Sequence, residues 1–102
     1  MSDLLKGLRP VHPGEVLDED VIPGSRLSKK AFALRLGMSR EALHNILSGR
    51  SAVTPVVALK LSRLLGTSPQ MWLNMQQAYD LAIVQEKRAA EIEQVRKLER
   101  VG

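Results

Sequence analysis

Residues 28–69 are cut into short lengths by one repeated start-and-stop signal, which leaves little room for anything but short helices. Ser28 is followed by Gly37, Ser39 by Gly49, and Thr54-Pro55 by Gly66, and Ser68-Pro69 opens again. A hydroxyl ahead of a helix accepts from a free amide of the first turn, proline fits the first helical position, and glycine ends a helix cheaply. The signal predicts helices over 29–36 and 40–48, a fourth ending at Gly66, and a fifth from Pro69 to at least Gln85. Upstream, His12-Pro13-Gly14-Glu15 predicts a first helix, with Pro13 at its first position and Glu15 reaching back to the free amides. Val16, Leu17 and Val21 supply its buried side, and Pro23-Gly24 is expected to end it. Strand signals are scarce: there are three aromatic residues and no sustained alternation of apolar and polar residues. The expected fold class is all-α, five helices in a single domain.

The second and third predicted helices show a further pattern. Gly37 is placed to take the left-handed conformation of a tight turn between crossed helices. Ala33 supplies the small side chain where the two helices come closest, and Phe32, Leu36, Met38, Leu43 and Ile46 are apolar at the positions that lock them together. Small, glycine and apolar types in this order mark a helix-turn-helix, which an ordinary helical hairpin would not require.

The third helix separates its faces. Leu43, Ile46 and Leu47 recur at helical spacing, while Arg40, Glu41, His44, Asn45 and Ser48 fall on the other side. In a major groove that side meets base edges: arginine pairs with guanine, asparagine with adenine, and glutamate accepts from cytosine. Arg40, Glu41, His44 and Asn45 are the candidate base contacts; Ser48 reads as plain surface, and Glu41 is open to the alternative role of orienting Arg40. Lys29, Ser39, Arg50 and Ser51 flank this face and are the candidate phosphate contacts. Lys60 and Arg63 are open to either phosphate contact or simple solvation.

Charge supports this placement. Residues 1–25 carry net −3, residues 26–63 net +7, and residues 64–102 sum to zero. A basic block between acidic and neutral segments points to a local polyanion site, although a solvated cationic surface has the same signature. There is no cysteine, no glycine-rich phosphate loop and no pair of histidines at metal spacing, so no enzyme, metal site or cofactor is expected. No apolar run approaches the roughly 18 residues of a membrane span, and the first ten residues lack a signal-peptide core, so the chain reads as soluble and intracellular.

Taken together, residues 9–85 resemble the HigA/VapI-type antitoxins, and the helix-turn-helix within them resembles the Cro and phage-repressor class. The stretches that carry the resemblance are Arg9-Pro10-Val11-His12-Pro13-Gly14-Glu15, Ser51-Ala52-Val53-Thr54-Pro55, and Leu65-Gly66-Thr67-Ser68-Pro69-Gln70-Met71-Trp72-Leu73-Asn74-Met75-Gln76. The resemblance implies a lambda-repressor-like domain over 11–85, with an arm over 1–10 before it; it fades beyond about residue 85, where charge spacing suggests a helical extension over 86–102 that could dock on a partner, extend the dimer or fray. It also implies a bacterial, cytoplasmic homodimer that works on nucleoid DNA at a two-fold operator, represses its own operon and pairs with a small RNA-cleaving toxin of HigB type. Two other readings stay open: a stand-alone repressor without a toxin, and an interaction module that has lost DNA binding. The fifth helix is the expected dimer contact through Met71, Met75, Tyr79, Ala82 and Ile83, with Trp72 assigned to the core. In the extension, Lys87/Glu91 and Glu93/Lys97 are spaced for ion pairs along a helix, and Ile92, Val95 and Leu98 offer a thin apolar edge.

Overall fold

The structure is a computed structural model that describes residues 10–99, so the expected N-terminal arm lies outside the described residues apart from Pro10. Among the described residues every regular element is helical. Helix α1 is continuous but changes pitch: it is α-helical over Pro13–Val16, π-helical over Leu17–Val21, and α-helical again over Ile22–Ser25. It is followed by α2 (Lys29–Leu36), α3 (Arg40–Leu47), α4 (Pro55–Leu65), α5 (Pro69–Lys87) and α6 (Ala89–Glu93).

The four hydroxyl caps act as expected. Oγ of Ser28 accepts from Ala31, that of Ser39 from Ala42, and that of Ser68 from Gln70 and Met71, while Thr54 Oγ1 accepts from Val57. Helix α1 differs at both ends. Its cap is the imidazole of His12, whose Nδ1 accepts the Gly14 amide at 2.9 Å, and not Glu15, whose side chain is exposed. Pro23-Gly24 does not end it: the helix runs to Ser25 and closes on Arg26 in the left-handed region, at φ 63°. The π turn explains the difference. The Ile22 amide donates to the Leu17 carbonyl five residues back, and this wider turn accommodates a proline that would clash with an ordinary preceding turn. Leu17 and Ile22 therefore share the buried side, while Val16 and Val21 are half-buried.

The six side chains of the helix-turn-helix pattern pack inward, and the seventh position, Gly37, is exposed at the turn. Phe32, Ala33, Leu36, Leu43 and Ile46 are buried together, and Met38 packs against them from the turn. Leu17 and Ile22 close this core from α1, Ala58 and Leu61 from α4, and Trp72 from α5. Trp72 is 1% exposed, and its indole N–H donates to Thr67 Oγ1 at 2.8 Å, so its polar edge is satisfied where α5 begins.

From Val84 onward every described residue is exposed. The extension is helical only as far as Glu93, and Arg88, at φ −122°, breaks α5 from α6. Its ion pair differs from the expected ones. Arg88 takes both carboxylate oxygens of Glu91 at 2.8 Å, because a guanidinium fork fits a carboxylate better than an ammonium does. Lys97 lies beyond α6, so the helical spacing from Glu93 has no helix to act on.

Candidate nucleic-acid interface

The turn between α2 and α3 is built from backbone. Gly37 sits at φ 70°, its amide donates to Leu34 and the Met38 amide to Ala33, both at 3.0 Å, which ties off two otherwise open carbonyls of α2. Lys60 reaches from α4 and donates through Nζ to the Gly37 carbonyl at 3.1 Å. Lys60 thus has a structural role in this turn, which its place in a basic block did not reveal.

Helix α3 presents the expected polar face. Arg40, Glu41 and His44 are exposed, Asn45 is half-buried beside them, and Leu43, Ile46 and Leu47 are buried on the opposite side. The helix ends as α2 does, with Gly49 at φ 82° and its amide on the Ile46 carbonyl. The Asn45 carbonyl accepts the amides of both Arg50 and Ser51, at 2.8 and 2.9 Å, so the loop that carries these two side chains turns tightly off the end of α3. Both residues are exposed.

The remaining candidates lie around this face. The Ser39 hydroxyl oxygen serves as the α3 cap, accepting from Ala42 at 3.0 Å, which leaves its hydrogen for an outside acceptor. Lys29 opens α2 and is held by Asp18 of α1 at 3.2 Å, with both side chains partly exposed. Asp18 belongs to the acidic surface of α1, where Glu15 above all, with burial and the neighbouring Asp20 and Asp18, raises the pKa of Glu19. The basic block is therefore bordered by carboxylates on the side of α1.

The candidate dimer residues on α5 are divided by the fold. Met75 packs against the core, and Tyr79 is half-buried with its ring edge-on to His12, centroids 5.1 Å apart. Ala82 and Ile83 are half-buried and Met71 is 40% exposed. The more exposed apolar residues of α5 are Leu81 and Val84, which with Val53 and Leu73 line an open groove of about 460 Å³. Leu81 and Val84 lie across the helix from the predicted stripe, beside polar Gln77 and Asp80, which is why helical spacing did not single them out.

Two polar residues behind the interface have partners there that the sequence did not assign. His12 is 7% exposed, and burial lowers its pKa against the opposing pull of Asp80, the Ser51 backbone and Glu15. Gln76 is buried on α5, where its Oε1 accepts the Val53 amide at 2.8 Å and its Nε2 donates to Asp80 at 3.0 Å. Among the described residues no cluster of histidine and carboxylate side chains is arranged to hold a metal, and no helix is long and apolar enough to cross a membrane.

Comparison with known proteins agrees with this architecture. Residues 25–72 match the family model described as helix-turn-helix. Antitoxin HigA-1 of Vibrio cholerae serotype O1 is 38% identical over 73 residues, spanning 72% of this chain and 69% of that protein. The structure of antitoxin GraA in complex with its operator superposes with a TM-score of 0.81 at 39% identity, covering 90% of this chain and 94% of that one. Pseudomonas aeruginosa antitoxin HigA with the higBA promoter superposes at 0.82 with 30% identity, covering 88% and 99%. With a helix-turn-helix whose locking side chains all pack into the core and with relatives of this likeness along most of its length, the chain belongs to the HigA family of helix-turn-helix antitoxins.

Proposed function

We propose that this protein is the DNA-binding antitoxin of a type II toxin–antitoxin pair, a homodimer that represses its own operon and neutralises a small RNA-cleaving toxin of HigB type. The observation that carries the DNA-binding part is the face of α3: Arg40, Glu41, His44 and Asn45 turn away from the core on a helix fixed by two glycine turns. Relatives of the same fold are seen on operator or promoter DNA. The toxin is inferred from the family. Arg40, Glu41, His44 and Asn45 contact bases, while Lys29, Ser39, Arg50 and Ser51 contact phosphates. A protein of this kind works in the compartment that holds the DNA, the bacterial cytoplasm.

The dimer reading rests on reach. One α3 presents four side chains to bases, and at roughly 1–3 kcal/mol for each good pair a single half-site falls short of genomic specificity. Two copies placing their recognition helices about 34–36 Å apart read a two-fold site on one face of the duplex. Helix α5 is the proposed contact, through Met71, Met75, Tyr79, Ala82 and Ile83. Sedimentation of the free protein, footprinting of the region upstream of its gene, and co-expression with the neighbouring gene product test the three parts. A monomer that protects a single non-palindromic patch overturns the dimer, and a neighbouring product that neither binds nor cleaves RNA overturns the toxin.

A further inference from the structure

The loop that leaves α3 is fastened from behind by side chains of α1 and α5. Its first half is held by the Asn45 carbonyl, which accepts from Arg50 and Ser51. The His12 ring lies against the start of the loop, beside Gly49. Val53, 2% exposed, ends the loop with its amide on Gln76, and Gln76 is itself only 5% exposed. The orientation of the buried amide is decided by chemistry: an ionised Asp80 can only accept, so the NH2 group of Gln76 faces it and Oε1 is left for the Val53 amide. A leucine or methionine would fill the same core position. The amide is needed because the loop turns a buried N–H toward α5, and an unpaired buried donor is costly.

We propose that Gln76, oriented by Asp80, is a positioning residue for DNA binding: it sets where the loop places Arg50 and Ser51, so that α5 governs the phosphate contacts made beside the recognition helix. This rests on the assignment of Arg50 and Ser51 to phosphates. Neither Gln76 nor Asp80 touches DNA in this scheme; they act through the backbone of the loop.

The test is a set of variants read by operator affinity, by the salt dependence of that affinity, and by thermal melting. Gln76→Met keeps the volume and removes the acceptor. It should weaken operator binding about tenfold, the scale of a lost hydrogen bond, and lower the salt slope by about one phosphate per recognition helix. Combined with Arg50→Ala it should add less than twofold, because both act on one contact. The exchange Gln76→Glu with Asp80→Asn keeps an acceptor on the Val53 amide and should recover affinity, whatever it does to melting. Should Gln76→Met fail to fold, Asp80→Ala frees the amide from an exposed position and should weaken binding about threefold without lowering the melting temperature by more than a few degrees. Gln76→Met or Asp80→Ala with parental affinity and salt slope overturns the proposal, as do Gln76→Met and Arg50→Ala losses that simply multiply. An Arg50→Ala protein with the parental slope overturns the phosphate assignment instead, and the affinity of Gln76→Met then decides the relay alone.

Discussion

Gly14 of α1 lies against the carbonyl of Ile46 in α3, so close that a Cβ at position 14 would fall far inside van der Waals contact with that oxygen. The obstacle is backbone on both sides, and neither partner can turn away as a side chain would. This approach seats the first turn of α1 on the end of the recognition helix and brings His12 over Gly49 and Ser51.

Gly14→Ala should therefore be severe for so small a change. Overpacking of this kind costs about 1–3 kcal/mol or more. The melting temperature should fall by roughly 4–8 °C for each kcal/mol in a domain of this size. Gly24→Ala is the control, since nothing lies within 4 Å of a Cβ built there. Equal melting of the two variants would show that α1 does not meet α3 in this way.

The turn glycine behaves differently, because its constraint is conformational. At φ 70°, with only Lys60 Nζ near a built Cβ, Gly37 has space but not the freedom of backbone that other residues would need. Gly37→Val should destabilise by about 1–2 kcal/mol or more, Gly37→Asn by clearly less, since asparagine visits this region readily. Thermal melting of both variants checks the order; valine equal to asparagine contradicts it.

Base readout is expected to be local. Arg40→Ala or Asn45→Ala should cost about 1–3 kcal/mol at the operator and relax preference at one base pair each. Binding to a panel of operators with single substitutions measures this. Unchanged curves for both variants would remove α3 from the major groove.

Phosphate contacts should be indifferent to sequence. Lys29→Ala and Arg50→Ala should weaken operator and random DNA alike, each lowering the salt slope by about one. Asp18 competes for Lys29 in the free protein, so Asp18→Asn should tighten both kinds of binding. A titration series in salt checks all three, and a variant that shifts sequence preference at constant slope is not a phosphate contact.

His12 makes stability depend on pH in a defined direction. Burial holds its pKa below the ordinary 6.5, and protonation would place a proton on the Nδ1 that caps α1. The unfolded chain therefore binds this proton more readily than the folded one. The contribution is full above 6.5 and is lost as pH falls from there through the folded value. His12→Asn keeps an acceptor for the Gly14 amide and removes the titration. Its melting temperature should fall less than the parent's between about pH 7.5 and 5.5. Parallel losses in the two proteins would assign the pH dependence to other groups.

The helix-turn-helix was legible in the sequence because everything that defines it is local. Ser28, Ser39, Gly37 and Gly49 act within one or two turns of chain, and Phe32, Ala33, Leu36, Leu43 and Ile46 are spaced by the helical repeat itself. The polar face of α3 follows from the same repeat. What depends on chain distant in sequence was not legible. Pro23 signals a helix end by its own chemistry, yet the π turn before it let α1 continue and bury Ile22. Lys60 resembled any exposed cation until α4 set it beside the Gly37 carbonyl. His12 caps α1 locally, but it meets Tyr79, and Gln76 meets the Val53 amide, only when α1 and α5 close around the loop after α3. Capping, turn geometry and amphipathic spacing act over a few residues and are written in sequence order. Which backbone groups are left buried and in need of a distant partner depends on how the helices pack, and the tertiary structure alone decides that.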